Sequence, residues 1–78
     1  MITILLFANL CEEVGLDRLV ILEKQEMNVG QLKDRLKESY HLQSLDTVMV
    51  AINEEFVTSE EMIKDGDIVA LIPPVSGG

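Results

Sequence analysis

The sequence predicts an α+β domain: a mixed sheet of four to five strands with one main helix packed on one face. Three observations carry this. The chain opens and closes on apolar runs, Ile2 to Phe7 and Ile68 to Ile72, that are apolar on both strand faces and so belong in the middle of a sheet. A single long segment, Asn28 to Tyr40, has helical periodicity. The order of elements is strand, strand, helix, strand, short strand, strand, and 78 residues suffice for one domain.

In chain order, Ile2 to Phe7 alternates with Ile2, Ile4 and Leu6 on one face and Leu5 and Phe7 on the other. Asn9 to Asp17 is a polar connection with Gly15 as its turn signal. Arg18 to Leu22 is a second strand at an edge, because Glu23 to Glu26 turns polar at once. Asn28 is the N-cap of the helix, Gln31 completes a capping box, and Met27 and Leu32 occupy the positions of a hydrophobic staple. Val29, Leu32, Leu36 and Tyr40 form its apolar stripe, with Lys33, Asp34, Lys37 and Glu38 outside. His41 to Asp46 connects to a third strand, Thr47 to Ile52. Asn53-Glu54-Glu55 is a tight turn and Phe56-Val57 a short returning strand. Ser59 to Lys64 reads as one helical turn capped by Ser59, and Asp65-Gly66 as a turn. Pro73 and Pro74 end the last strand, since neither can donate a ladder hydrogen bond. The first and last strands are central neighbours, and the whole arrangement is that of a β-grasp, or ubiquitin-like, domain over residues 1–72 with a projecting tail, 73–78.

One helix covers one face of such a sheet. Phe7, Phe56 and one parity of the last strand supply apolar groups to the second face, and a small monomer rarely exposes a large apolar patch unless something binds it. A protein-partner surface is expected there; cover by loops and the short helical turn is the alternative.

Fourteen acidic residues against six basic ones give a net charge of -8. This argues against nucleic acid and anionic membranes, which demand concentrated Lys and Arg, and fits either a basic protein partner or, more commonly, an acidic surface that simply keeps the chain in solution. No apolar stretch reaches the ~20 residues of a membrane span, and Ile2 to Ala8 lacks the basic flank and cleavage site of a signal peptide, so a cytoplasmic protein is expected. The lone Cys11 makes no internal disulfide, has no cationic neighbour to stabilise a thiolate, and reads as a small apolar filler. The lone His41 has no metal-ligand context, so no metal is expected. Glu12-Glu13, Glu54-Glu55 and Glu60-Glu61 are solvated pairs, and Asp65 and Asp67 serve Asx-type turn bonding.

What remains is the end: Ile72-Pro73-Pro74-Val75-Ser76-Gly77-Gly78. Proline fixes φ and holds the tail off the sheet, and two glycines form a tip slim enough for a narrow slot in another protein. A terminal carboxylate is inert until adenylation by ATP makes it a mixed anhydride that a sulfur nucleophile attacks. The reactive group is then the backbone terminus, and no side-chain constellation is needed.

Nearly the whole chain resembles the small, sulfur-carrier subunit family of molybdopterin synthase. The resemblance runs through Phe7-Ala8, Glu13-Val14-Gly15, Asn28-Val29 and Val50-Ala51-Ile52-Asn53, and is most specific in Asp65-Gly66-Asp67 and Pro73-Pro74-Val75-Ser76-Gly77-Gly78. It implies a non-enzymatic subunit with no resident cofactor. An E1-like enzyme adenylates Gly78 with ATP, and a sulfur donor protein completes a thiocarboxylate there. The tail then enters the large synthase subunit and gives sulfur to cyclic pyranopterin monophosphate, within a heterotetramer of two small and two large subunits. It also implies that Gly77 keeps the tip slim, that Phe7, Phe56 and Ile72 form a hydrophobic contact patch, and that Pro73, Pro74, Val75 and Ser76 engage the partner. A sulfur carrier for thiamin thiazole synthesis, a ubiquitin-like protein modifier and an interaction module with an incidental Gly-Gly end remain as alternatives.

Overall fold

The computed structural model describes residues 1–22, 26–42 and 44–74. The order is β1 (Ile2–Leu6), α1 (Asn9–Val14), β2 (Arg18–Ile21), β3 (Met27–Asn28), α2 (Val29–Tyr40), a 3₁₀ turn (Ser44–Thr47), β4 (Met49–Ile52), β5 (Glu55–Val57), β6 (Met62–Ile63) and β7 (Ile68–Ile72). A five-stranded mixed sheet runs β2-β1-β7-β4-β5, with β1 parallel to β7 and the other pairs antiparallel. The two apolar strands are indeed neighbours, with β7 in the centre. A two-stranded sheet pairs β3 with β6. The helices lie on one face of the main sheet, as in a β-grasp. Among the described residues no helix is long and apolar enough to cross a membrane.

The core follows the strand alternation. Ile2, Ile4 and Leu6 of β1, Val50 and Ile52 of β4 and Val69 and Leu71 of β7 are buried together with Leu10, Leu32, Leu36 and Leu45 from the helical side. The start of α2, where the first N–H groups lack intrahelical partners, is satisfied group by group. Gln31 N–H donates to Asn28 Oδ1 at 2.8 Å, and Asn28 N–H donates to Gln31 Oε1 at 2.9 Å, completing the capping box. Val29 N–H donates to the Glu61 carbonyl at 3.0 Å and Gly30 N–H to the Ser59 carbonyl at 2.9 Å.

These last two bonds explain one correction. Ser59 to Lys64 is not a helical turn: Ser59 supplies a carbonyl, not a cap, and Met62–Ile63 form β6 against Met27–Asn28. The segment is held extended because the head of α2 takes its carbonyls and because Ile63, at 2% exposure, fills the core. A second correction concerns Asn9 to Asp17, which holds α1 where a connection is expected. Leu10 is fully buried and Cys11 and Val14 pack on the core, so one helical turn presents three apolar groups to the same side. Gly15, at φ 86°, closes α1 in the left-handed region with its N–H on the Cys11 carbonyl at 2.8 Å. The third strand begins at Met49, not Thr47, which belongs to the 3₁₀ turn. Tyr40 is exposed, so the buried stripe of α2 ends at Leu36, and Leu42 fills the core beyond it.

Candidate functional site: the uncovered face and the root of the tail

The face away from the helices is built by the other strand parity. The register sets Leu5 beside Ala70, Ala70 beside Ala51, and Ala51 beside Phe56, a row crossing four strands. Small residues sit in the middle of that row and large ones at its ends. Phe7, Phe56, Ile68 and Ile72 wall in the two alanines, leaving a depression of about 590 Å³. Phe56 is 69% exposed, Phe7 46% and Ile68 46%, so the loops among the described residues leave this face open. The short helical turn offered as its cover is instead β6, in the separate two-stranded sheet.

The tail leaves from the same place. Leu6 pairs with Leu71 in parallel register, and Phe7 and Ile72 are the residues that follow. Both line the depression. Pro73 is half-buried and Pro74 exposed directly after β7. Val75, Ser76, Gly77 and Gly78 lie outside the described residues.

The β1 end of the face is set by a tight turn. Leu10 N–H donates to the Phe7 carbonyl at 3.1 Å, closing the turn Phe7-Ala8-Asn9-Leu10. Ala8 has φ 53° and ψ -130°, the first central position of a type II′ turn, where glycine is the usual residue. At the opposite corner Asn53 and Glu54 form the two-residue loop between β4 and β5, both with positive φ, at 50° and 74°. Asn53 ties this loop to β7: its N–H donates to the Ile68 carbonyl at 2.8 Å, its Oδ1 accepts from Ile68 N–H at 3.1 Å, and its Nδ2 donates to Asp67 Oδ1 at 3.0 Å.

The remaining polar candidates have structural places. Asp67 Oδ2 also accepts from Lys64 N–H at 2.8 Å, the expected Asx-type bond, while Asp65 pairs with the Met1 amino group. His41 caps the end of α2 at φ 56°. Cys11 is a half-buried free thiol packed on the core. Among the described residues no group of three or more His, Cys, Asp or Glu is close enough to hold a metal ion. Sequence reasoning did not single out Leu5, Ala51, Asn53 and Glu54 as members of the site. The parity of β1 puts Leu5 on the face of Phe7, but only the strand register brings Leu5 and Ala51 to one spot.

The family model described as the ThiS family matches residues 4–78. The chain belongs to the ThiS family. The molybdopterin synthase sulfur carrier subunit of Dictyostelium discoideum is 39% identical over 80 residues, spanning 96% of this chain and 93% of that one. The subunit of the same name from Haemophilus influenzae is 30% identical over 82 residues and spans all of both chains. Among solved structures, SAMP1 from Haloferax volcanii superposes with a TM-score of 0.82 at 29% identity, over 99% of this chain and 98% of that one. The resemblance carried by the Asp65-Gly66-Asp67 and Pro-Pro-Val-Ser-Gly-Gly segments therefore holds along the full length. This ThiS-family chain is a β-grasp carrier subunit and not an enzyme by itself.

Proposed function

We propose that this protein is the sulfur-carrier subunit of molybdopterin synthase and that Gly78 carries the sulfur. The carboxylate of Gly78 attacks the α-phosphorus of ATP on an E1-like enzyme and releases pyrophosphate. The donor's sulfide-level sulfur then attacks the carbonyl carbon and AMP leaves, so that a C–S bond replaces the C–O bond to phosphate and a thiocarboxylate remains. Held in the large subunit, each thiocarboxylate gives one sulfur to cyclic pyranopterin monophosphate and, taking an oxygen from water, returns to a carboxylate, so two charged carriers supply the two sulfurs of the molybdopterin dithiolene. Gly77 keeps the tip slim; Pro73, Pro74, Val75 and Ser76 thread it into the partner; Phe7, Phe56 and Ile72 hold the body against the partner. Residues 1–72 act as the docking body and 73–78 as the arm, in a cytoplasmic complex of two small and two large subunits.

The observation that carries this reading is the meeting of Phe7 and Ile72 at the rim of the open depression. A partner that seats on that depression has the root of the tail at its edge. Six residues beyond Ile72 span at most about 20 Å when extended, enough to reach a slot well inside the partner.

The test is intact-mass spectrometry after incubation with an E1-like enzyme, ATP and a sulfur donor. The mass rises by ~16 Da as terminal oxygen is exchanged for sulfur, and a chain lacking Gly78 stays unmodified while keeping its fold. An unchanged mass with a competent activating enzyme refutes the carrier reading. Lysine conjugates in place of sulfur transfer to the pterin would instead assign a modifier role, the use named for the Haloferax relative.

A further inference from the structure

We infer that Glu54 is a built contact for a cationic side chain of the docking partner, placed beside the apolar depression so that a partner must present an apolar group with a Lys or Arg next to it. The inference rests on the open face being the docking surface. Three observations lead to it. Glu54 is the only charged residue among the described residues that line the depression. A carboxylate there meets an approaching apolar surface, and its desolvation is offset only by an opposite charge.

Second, the backbone at Glu54 favours a different residue. With φ at 74° in a two-residue hairpin loop after an asparagine, this is the position that glycine fills with least strain. Folding alone therefore selects Asn-Gly, and the glutamate is held at a cost to stability. Strain of this kind, maintained by its surroundings, points to function.

Third, the loop is immobilised. Three hydrogen bonds, two donated by Asn53 to Ile68 and Asp67 and one accepted from Ile68 N–H, fasten it to the start of the central strand. Glu54 thus presents its carboxylate from a fixed base, which lowers the ordering cost of pairing with a partner. Glu55, its neighbour, belongs to β5 and lies outside the depression. The two glutamates carry equal charge in different places, so position can be separated from net charge.

The experiment measures association of the full-length protein with the cognate molybdopterin synthase large subunit by surface plasmon resonance across a salt series, with thermal melting in parallel. Glu54→Gln is expected to weaken binding about three- to tenfold at low salt and to flatten the salt dependence, with an unchanged melting temperature. Glu54→Gly is expected to raise the melting temperature and yet weaken binding. Glu55→Gln, which removes the same charge, should leave affinity within twofold. Equal losses for Glu54→Gln and Glu55→Gln would overturn the inference in favour of general charge steering, and no loss for either would overturn it outright. Phe56→Asp separates the two levels: if it abolishes binding while Glu54→Gln does nothing, the face docks and the Glu54 contact is wrong. If Phe56→Asp also binds normally, the docking face itself is misplaced.

Discussion

Replacing Phe56 with alanine separates folding from docking, because most of this side chain is already out of the core. Fully burying a phenylalanine contributes about 1.5 to 3 kcal/mol. Phe56 is 69% exposed in the free protein, so about two-thirds of that, roughly 1 to 2 kcal/mol, is left for a partner to gain. The remaining third, with the weaker strand preference of alanine, limits the folding cost to about 1 kcal/mol. Binding to the large subunit, followed by titration calorimetry, should weaken about 5- to 30-fold. The melting temperature, followed by circular dichroism, should fall by no more than about 8 °C for a domain of this size. Either of two results refutes the reasoning. Unchanged affinity would mean that the partner does not cover Phe56. A collapse in stability would mean that Phe56 serves the fold and that its exposure misrepresents its role.

Two further substitutions probe the frame that holds the face. Asn28→Ala removes the acceptor for Gln31 N–H and should cost about 1 kcal/mol, seen as a melting temperature about 4 to 8 °C lower, whereas Asn28→Asp keeps the acceptor and should melt near the parent. Ala8→Gly relieves a backbone at φ 53° and ψ -130° that alanine tolerates poorly, and should stabilise by about 1 kcal/mol in chemical denaturation; a loss of stability would show that the turn is not strained.

The legible parts of the fold were those encoded within a few residues. Alternation in Ile2 to Leu6 and Ile68 to Ile72 set both faces of the sheet, and the Asn28–Gln31 pair marked the head of α2. The missed parts depend on distant partners. Met62–Ile63 is extended only because Met27–Asn28 lies beside it and α2 consumes the carbonyls of Ser59 and Glu61. α1 is a single apolar turn too short for its period to stand out, and Ala8 gives no sign of the turn that introduces it. The site divides in the same way. Phe7 and Phe56 were legible as apolar residues without a core to enter, and Ile72 through the family resemblance alone. The depression between them was not, because its floor needs Ala51 and Ala70 to be adjacent, which follows from a register between strands far apart in sequence. Glu54 read as one of a solvated pair, since a positive φ leaves no mark on an Asn-Glu-Glu run.

The pairing direction of the first and last strands links the fold to its use. Had β1 and β7 run antiparallel, the residue after β1 and the residue after β7 would leave the sheet at opposite ends. Because they are parallel, Phe7 and Pro73 leave at the same end, and Phe7 and Ile72 line one depression. A parallel pair needs a long crossover, and the segment between β1 and β7 contains α2, which covers the opposite face. One topological choice therefore buries one face and leaves the other bare, with the tail rooted at its rim. A partner that recognises the bare face needs no separate means of finding the tail. Under the proposed function, docking strength rests on Phe7, Phe56 and Ile72 and sulfur chemistry on Gly78, so damage to one should leave the other intact. A Phe56→Ala chain should thus still be converted to the thiocarboxylate at saturating activating enzyme, and a chain lacking Gly78 should still bind through the face.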